Sequence, residues 1–506
     1  MNKILIWKYI IFYIFNLHCI HNELLFVYEN SRHGLRGSIT GNQNSLINET
    51  LIDEYNIHWE GNGMLTFKGK MQQYILGIRN RLKYPNLIDY NKFNEEELLI
   101  HVTNTSRANE SAYNHLLGMY KPFIKISEND KLIKKIPESN KFYYPPNYNI
   151  WNKESDKIFK KIIIEAELNI KLLENINNNK SELSLTEGEF NLEENNKKYN
   201  MNIKYTPFSE NRTFFLIFNC VNNRKYIKHN YETKFNELIK ENLEDKYGNK
   251  LQSFFKYENK EWLYNISNII KITEHFLANY YNGRNLDEFL DKTGINKEEF
   301  YKVCLKIYKW WIYHLYCDEK TCILESQKMM EDLIEYMDNK INNKTNKLKM
   351  VINVGHDFTV CPMQIFMHEA FDVEYSICGF SCNIYIELHK EKDYNQKDIY
   401  IVKYYVDDEL RLNINYEIFK KNVISKFWTE KEKDEFCNGI IIRVLYPKTF
   451  IFVSFSIIVI IILVFIFISY KCYKKYLKQK KISLIKHNNL AGKKDNDENS
   501  KELELI

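Results

Sequence analysis

The central part of this chain lacks an excess of charge of either sign. The 506 residues carry a formal net charge of +5. However, ten lysines against five acidic residues follow Tyr470, and two lysines precede residue 23. Residues 23–470 therefore carry a formal charge of −2. Proteins that bind nucleic acid present a strongly basic surface, so we expect no nucleic-acid partner.

Internal repeats and the composition of disordered proteins are also lacking. Aromatic residues make up 15% of the chain and hydrophobic residues 44%, which is far more than disordered segments contain. A chain of this length can bury a large hydrophobic core. We therefore expect a folded protein rather than a flexible or fibrous one.

One segment lacks charge, proline and glycine altogether, and it is the long apolar run at residues 450–470. A helix of about 20 such residues spans the roughly 30 Å hydrocarbon layer of a membrane. The lysine-rich tail at residues 471–506 follows directly, which by the positive-inside rule predicts a cytoplasmic C-terminus. A buried core helix is the alternative, but so unbroken an apolar run disfavours it.

The N-terminal segment has a different pattern. Residues 1–22 contain lysines followed by a short apolar stretch, which is typical of a signal peptide. A first transmembrane helix is the alternative, but the following residues are needed for a core strand. The sequence predicts a single-pass type I membrane protein whose residues 23–445 face a lumen or the cell exterior. Seven Asn-X-Ser/Thr sequons in this part predict a glycoprotein.

Cysteines are few, but their number fits an oxidising compartment. Ten are present, and eight remain when Cys19 in the signal segment and Cys472 in the tail are set aside. An even number predicts four disulfides, although spacing alone leaves the pairing open. Metal ligation is the alternative for two of them, but nearby histidines complete no zinc spacing, so we expect no metal. The eight are Cys220, Cys304, Cys317, Cys322, Cys361, Cys378, Cys382 and Cys437.

The N-terminal apolar run Leu24–Tyr28 is soon followed by a cationic turn. Arg32, His33, Gly34 and Arg36 place one imidazole between two guanidiniums. Guanidiniums bind oxyanions through paired hydrogen bonds, and a neutral imidazole can attack an electron-poor centre. A solvated surface turn is the alternative for this triplet taken alone.

Two further apolar runs end in polar residues of matching chemistry. The run at residues 351–354 precedes His356 and Asp357, and the run at residues 98–102 precedes Arg107. Ligands bind at the carboxyl ends of strands in open α/β sheets. His356 and Asp357 could instead simply begin a helix, where a carboxylate in the first turn is favourable.

These fragments together resemble the histidine acid phosphatases, branch 2 of the histidine phosphatase superfamily, and in particular their membrane-anchored lysosomal and prostatic type. The family's RHGxRxP and HD motifs match, except that Ser38 takes the place of the proline. The RSTDxxR motif matches less well, because His101 and Asn104 replace its first arginine and its aspartate. Its last arginine is retained as Arg107. The segment at residues 65–81 is similar to the family's LTxxGxxxxxxLGxxxRxRY helix.

The resemblance implies an α/β fold with a central, mostly parallel sheet flanked by helices and an inserted helical cap. The phosphatase domain would span residues 23–445, with its core at about residues 23–108 and 350–440. The cap would occupy about residues 109–349, where apolar residues recur at helical spacing. The C-terminal transmembrane helix lies outside this domain.

The resemblance also implies an acid phosphatase that hydrolyses phosphate monoesters without a cofactor. His33 would be the nucleophile and Asp357 the proton donor. The groups that bind the phosphate would be Arg32, Arg36, Arg107 and His356. Arginines replace a metal cation in neutralising the phosphoryl charge.

Two alternatives stay open beside this one. The first is a catalytically weak or inactive glycosylated ectodomain that serves adhesion or reception, which the altered positions Ser38, His101 and Asn104 would suit. The second is a narrower phosphatase, such as a phytase or a lysophosphatidic acid phosphatase. The compartment is either lysosome-like or the cell exterior, and a homodimer is left open.

The resemblance further implies disulfides from Cys220 to Cys437 and from Cys304 to Cys382. Cys317 and Cys322 are close enough in sequence to close a small loop. That would leave Cys361 for Cys378.

Overall fold

The structure is a computed structural model in two units, residues 1–437 and 438–506. It describes residues 23–39, 63–91, 93–120, 189–194, 197–202, 204–206, 220–252, 266–282, 287–316, 318–342, 346–376, 378–393, 395–439 and 447–499. The predicted signal peptide lies outside the described residues.

A seven-stranded mixed sheet forms the centre of the first unit. Its strands are β1 (Glu23–Arg32), β2 (Leu98–Thr103), β5 (Lys204–Thr206), β6 (Met350–Gly355), β7 (Asn383–Lys392), β8 (Asp398–Val406) and β9 (Glu409–Asn415). Their order in the sheet is β5-β2-β6-β1-β7-β8-β9. The first four strands in this order are parallel, whereas each of the last three is antiparallel to the strand before it.

The prediction of a mostly parallel sheet is therefore wrong, because half of the strand pairs are antiparallel. The physical reason is the length of the connections after β7. β8 and β9 follow after a few residues each, and so short a connection can only join antiparallel neighbours. A separate antiparallel hairpin is formed by β3 (Glu189–Glu194) and β4 (Lys197–Asn202).

Helices cover both faces of the sheet, as the resemblance implied. On one face, α1 (Phe67–Lys83) and α2 (Ser106–Met119) pack against the side chains of Val27, Ile100 and Ile352. On the other, three helices pack against Phe26, Val351 and Ile386. Consecutive residues of β1, Phe26 and Val27, thus enter opposite layers, as the alternation along a strand requires. The three helices are α8 (Glu319–Asn342), α9 (Asp357–Phe371) and α10 (Tyr416–Ser425).

A helical cap with its own apolar core occupies the middle of the chain. Phe235, Phe276, Phe300 and Ile307 are fully buried against one another in this core. The segment expected to form the cap also supplies β5 to the sheet and α8 to the helical layer on one of its faces. The predicted domain boundaries stay predictions. The cap helices are α3 (Asn223–Ile239), a π-helical turn (Lys240–Glu244), α4 (Asp245–Gln252), α5 (Ile266–Asn282), α6 (Asp287–Lys292) and α7 (Lys297–Tyr316).

A buried polar network lies behind β1, on the face covered by α1. Glu29 accepts a hydrogen bond of 2.5 Å from the amide of Asn80, and one of its carboxylate oxygens has no hydrogen-bond partner. Arg79 forms an ion pair with Asp408 and donates to the hydroxyl of Tyr385. Burial raises the pKa of Glu29 to about 7, although nearby Arg79 and Lys83 act in the opposite direction.

Two disulfides are present among the described cysteines. Cys220 is bonded to Cys437, the pairing that the resemblance implied. Cys378 is bonded to Cys382, so these two are not metal ligands. A disulfide of this kind typically contributes about 2–4 kcal/mol.

The predicted pairs Cys304–Cys382 and Cys361–Cys378 are wrong, because Cys378 and Cys382 are already bonded to each other. Cys304 is a free thiol in the core of the cap. Cys361 is a free thiol on α9 whose sulfur accepts from the backbone N–H of Cys378 at 3.4 Å. Cys317 lies outside the described residues, so its pairing with Cys322 stays a prediction.

The helix α11 spans Glu430–Asn438, and only its last residue belongs to the second unit. The second unit otherwise contains the long helix α12 (Pro447–Asn499). Within α12, Phe455–Lys481 is long and apolar enough to cross a membrane, and none of it is buried. It is the one such helix among the residues that the structure describes.

Candidate active site

The ends of two neighbouring parallel strands bring the predicted histidines together. Arg32, the last residue of β1, lies opposite Gly355, the last residue of β6. The N–H of His33 continues this pairing by donating to the carbonyl of Gly355 at 2.8 Å. The imidazole rings of His33 and His356 are consequently 5.2 Å apart and edge to face. Backbone pairing thus fixes the spacing of the two histidines.

The turn after His33 requires glycine because it approaches α1 very closely. A β-carbon on Gly34 would lie 2.3 Å from the carbonyl oxygen of Gly69, and one on Gly69 would lie 2.0 Å from that of Leu35. This contact allows side chains from α1 and α2 to hold the turn. Gln72 accepts from the N–H of Leu35, and Ser111 accepts from that of Gly34.

The state of the His33 ring suits a nucleophile. Its Nδ1 lies 2.8 Å from the carbonyl oxygen of Gly34. A carbonyl can only accept, so this contact places the proton on Nδ1 and leaves the lone pair on Nε2. Burial, followed by the charge of Arg107, lowers the pKa of His33 well below its usual range. The ring is therefore neutral, as nucleophilic attack requires.

Arg107, near the start of α2, reaches across to His356. Its Nη2 donates to His356 Nδ1 at 3.3 Å, and His356 Nε2 then donates to the hydroxyl of Thr103 at 2.9 Å. Burial, followed by the charge of Arg107, lowers the pKa of His356 well below its usual range, so this ring is neutral too. Burial also lowers the pKa of Arg107 to about 10, and its Nε has no hydrogen-bond partner.

Asp357, the first residue of α9, is paired with Arg32. Its Oδ2 lies 2.8 Å from Arg32 Nη2 and accepts a hydrogen bond from the hydroxyl of Tyr308 on the cap helix α7. Burial alone would raise the pKa of this carboxyl, but Arg32 and the Tyr308 hydrogen bond hold it below its usual range. The carboxyl is therefore ionised in the ligand-free site.

Arg36 is paired with a second carboxylate from the cap. Glu274 on α5 accepts from the guanidinium of Arg36, from the hydroxyl of Ser38 at 3.0 Å and from the N–H of Ile39 at 3.2 Å. Ser38 thus donates a hydrogen bond that the family's proline could not. This change at the end of the RHGxRxP motif fixes a cap carboxylate beside the arginines.

The disulfide-closed loop at residues 378–382 forms one wall of the site. The Phe380 ring lies under Arg32, with 4.2 Å between its centroid and the guanidinium carbon, and 5.9 Å from the His33 ring. The Arg32 guanidinium also donates to the carbonyl of Cys378 at 3.0 Å, and the N–H of Ser381 donates to the carbonyl of His33. The loop therefore contacts both the Arg32 guanidinium and the backbone at the end of β1.

The structure brings together all six residues that the sequence proposed for the site. The two altered positions of the RSTDxxR motif lie elsewhere: His101 points to the hydroxyl of Tyr336, and Asn104 is exposed. The sequence did not point to Glu274, Tyr308 and Phe380. The helical periodicity around Tyr308 predicted only a packed face, and nothing local marked the other two. The six residues are Arg32, His33, Arg36, Arg107, His356 and Asp357.

Comparisons with known proteins give similarities of fold. No protein-family model and no curated protein matches the chain. The chain is similar to the phytase of Klebsiella sp ASR1, with a TM-score of 0.46 and 11% identity over 81% of this chain and 97% of that chain. It is also similar to the multiple inositol polyphosphate phosphatase of Bifidobacterium longum, crystallised with inositol hexasulfate, with a TM-score of 0.45 and 11% identity over 78% of this chain and 88% of that chain. For the phytase from D. castellii, the TM-score is 0.45 and the identity 13%, over 83% of this chain and 82% of that chain.

Proposed function

We propose that this chain is a phosphoric monoester hydrolase that works through a phosphohistidine on His33, as its resemblance to histidine acid phosphatases implies. The observation that carries the proposal is the state of His33. Its ring is neutral, its proton is on Nδ1, and the charges of Arg32, Arg36 and Arg107 act on the ring. A cation cluster around a neutral nucleophile suits an electrophile that is itself an anion.

A phosphate monoester carries up to about two negative charges near neutral pH. On binding, its oxygens compete with Asp357 for Arg32 and with His356 for Arg107. When Arg107 binds the phosphate instead of His356, the hydroxyl of Thr103 can donate to His356 Nε2. The proton of the His356 ring is then on Nδ1. His356 can thereby donate to a phosphoryl oxygen.

The first chemical step is attack of His33 Nε2 on phosphorus. The N–P bond forms as the bond from phosphorus to the ester oxygen breaks, and the leaving oxygen takes its proton from Asp357. The carboxyl of Asp357 is ionised before binding, so this proton must arrive with the substrate as a monoanion. The phosphate charge and the loss of Arg32 as a partner both favour the protonated carboxyl.

The second step hydrolyses the phosphohistidine. Water attacks phosphorus, Asp357 accepts a proton from that water, and the N–P bond breaks to return the lone pair to His33 Nε2. Because substrate monoanions supply the first proton, activity should be highest at acid pH. It should fall as the pH rises above about 6, the second pKa of a phosphate monoester.

The test is His33→Ala in the full-length chain, with His101→Ala as the matched control. His101 lies on β2, which is separated from β1 by β6, and it is outside the site. Phosphate release from an aryl phosphate should be abolished in the first variant and retained in the second. An alkaline quench of the parent enzyme, which preserves acid-labile phosphohistidine, should trap a labelled phosphoenzyme. Near-full activity of His33→Ala would refute the assignment of His33 as the nucleophile. Absence of phosphate release from the parent protein would instead favour a non-catalytic ectodomain.

We also propose that α12 anchors the protein as a single-pass type I membrane protein, with the site on the lumenal or extracellular side. The exposed apolar stretch Phe455–Lys481 and the lysines that follow Tyr470 support this orientation. Surface biotinylation and protease protection of intact cells and vesicles test it. A C-terminal tag accessible from outside unpermeabilised cells would contradict the orientation.

A further inference from the structure

A small cavity opens beside the phosphate-binding arginines. Its volume is about 110 Å³. Arg32 and Arg36 line it together with apolar and aromatic side chains from the cap and the Phe380 loop. The ester group of a substrate whose phosphate binds these arginines can lie there. The described side-wall residues that matter here are Leu277, Tyr281, Leu305 and Phe380.

The size and lining of this cavity match one flat ring. A cavity of about 150 Å³ lined by apolar side chains binds benzene, so about 110 Å³ has room for a single six-membered ring at most. Tyr281 and Phe380 meet edge to face, with 6.0 Å between their centroids. The two rings form an aromatic corner, which favours an aromatic partner packed against it.

The charges around the cavity match one phosphate group. Arg32 and Arg36 pair with Asp357 and Glu274, Arg107 lies within electrostatic reach of both carboxylates, and Lys309 lines the cavity. With both histidines neutral, these four cations and two carboxylates leave a net charge of about +2, which is enough for one phosphate group as a monoanion or a dianion. A polyphosphorylated cyclitol would place several further dianions against Glu274 and the apolar side walls.

We propose, resting on the phosphatase function above, that the substrates of this site are monophosphates of aromatic alcohols and not polyphosphorylated cyclitols. The arginines hold the phosphate, and the ring fills the corner formed by Tyr281 and Phe380. Lys309 is exposed at the mouth of the cavity. Since Asp357 and Glu274 pair with Arg32 and Arg36, Lys309 is placed to attract the anionic substrate from solvent.

The test separates binding from turnover. Phenylphosphonate, methylphosphonate and inositol hexakisphosphate are titrated into the full-length protein by calorimetry, because phosphonates are not hydrolysed. The two phosphonates share the anionic group and differ in the ring. We expect phenylphosphonate to bind about 30-fold or more tightly than methylphosphonate. Inositol hexakisphosphate should bind no better than methylphosphonate.

Variants then locate the ring. Tyr281→Ala should weaken phenylphosphonate binding about 10-fold and change methylphosphonate binding less than about two-fold. Tyr281→Leu, which keeps apolar bulk, should show the same selectivity with a smaller loss if the alanine variant fails to fold. The matched control is Tyr231→Ala on the cap helix α3, whose ring packs on His314, and it should leave both affinities unchanged.

Each outcome decides a separate question. Tight binding and rapid hydrolysis of inositol hexakisphosphate would overturn the substrate class while leaving the phosphatase function intact. Equal affinity for the two phosphonates would also overturn it. Selective phenylphosphonate binding without hydrolysis of phenyl phosphate would overturn the phosphatase function and support the ring-binding corner.

Discussion

Replacing Glu29 with glutamine should remove one contribution that lowers the stability of the parent protein as the pH rises from about 5 to about 7.5. Glu29 is fully buried on β1, and burial raises the pKa of its carboxyl from 4.5 to about 7. The unfolded chain ionises near the lower value and the folded chain near the higher one. Between them, the folded state holds the extra proton, so its stability falls as the pH rises.

The size of this loss follows from the two pKa values. Each pKa unit is worth about 1.4 kcal/mol, so a rise from 4.5 to about 7 corresponds to about 3 kcal/mol once the pH exceeds 7. That is a large fraction of the 5–15 kcal/mol that typically separates the folded and unfolded states. Glutamine carries no charge at any pH and should not show this loss.

The assay is denaturant-induced unfolding of the full-length chain in detergent, followed by tryptophan fluorescence between about pH 5 and 7.5. The control is Glu23→Gln, which removes an exposed carboxylate from the same strand and should follow the parent. The unfolding midpoint of Glu29→Gln should rise relative to that of the parent as the pH increases, because the buried histidines His33 and His356, whose lowered pKa values act in the opposite direction, are present in both proteins. A difference between the two midpoints that does not change with pH would refute the raised pKa of Glu29.

Three further predictions concern the site. Asp357→Asn should lower the rate of hydrolysis of alkyl phosphates about 10²–10⁴-fold and that of aryl phosphates much less, because an alkoxide leaving group needs the proton more than a phenolate does. An equal loss on both substrates in steady-state assays would mean that Asp357 only orients the site. Tyr308→Phe removes a hydrogen bond that helps to hold the pKa of Asp357 low. The alkaline limb of the pH profile of kcat, which reports the proton held in the enzyme–substrate complex, should therefore move to higher pH, and an unchanged kcat profile would contradict this role. Gly34→Ala places a β-carbon 2.3 Å from the Gly69 carbonyl oxygen, so it should lower the free energy of unfolding by roughly 1–3 kcal/mol, as overpacking of a core does, and abolish activity. Retention of both would show that the turn can shift.

The parts of the site that the sequence could predict lie directly after strands. An apolar run followed by a polar residue encodes both the strand and the position of the side chain at its end. Parallel pairing then brings Arg32, His33 and His356 to one edge of the sheet without further information. Arg107 needed the family motif as well, since its strand is followed by an altered sequence.

The parts that could not be predicted depend on contacts between distant segments. Glu274 is 238 residues from Arg36 along the chain, and its helical pattern indicates only that one face is buried. The bond between Cys378 and Cys382 depends on how their loop turns around Arg32, which local spacing does not encode. The antiparallel half of the sheet was missed for a related reason, because strand propensity carries no direction.

The sheet and the cap contribute different things to this site, and the division has an evolutionary consequence. The nucleophile and the phosphate ligands lie on the sheet and its first helices, whereas Glu274, Leu277, Tyr281, Leu305 and Lys309 all belong to the cap. Mutations in the cap can therefore alter which alcohol is accepted while the strand ends that perform the reaction stay unchanged. A lineage that carries this scaffold could acquire new substrates by drift within one inserted segment.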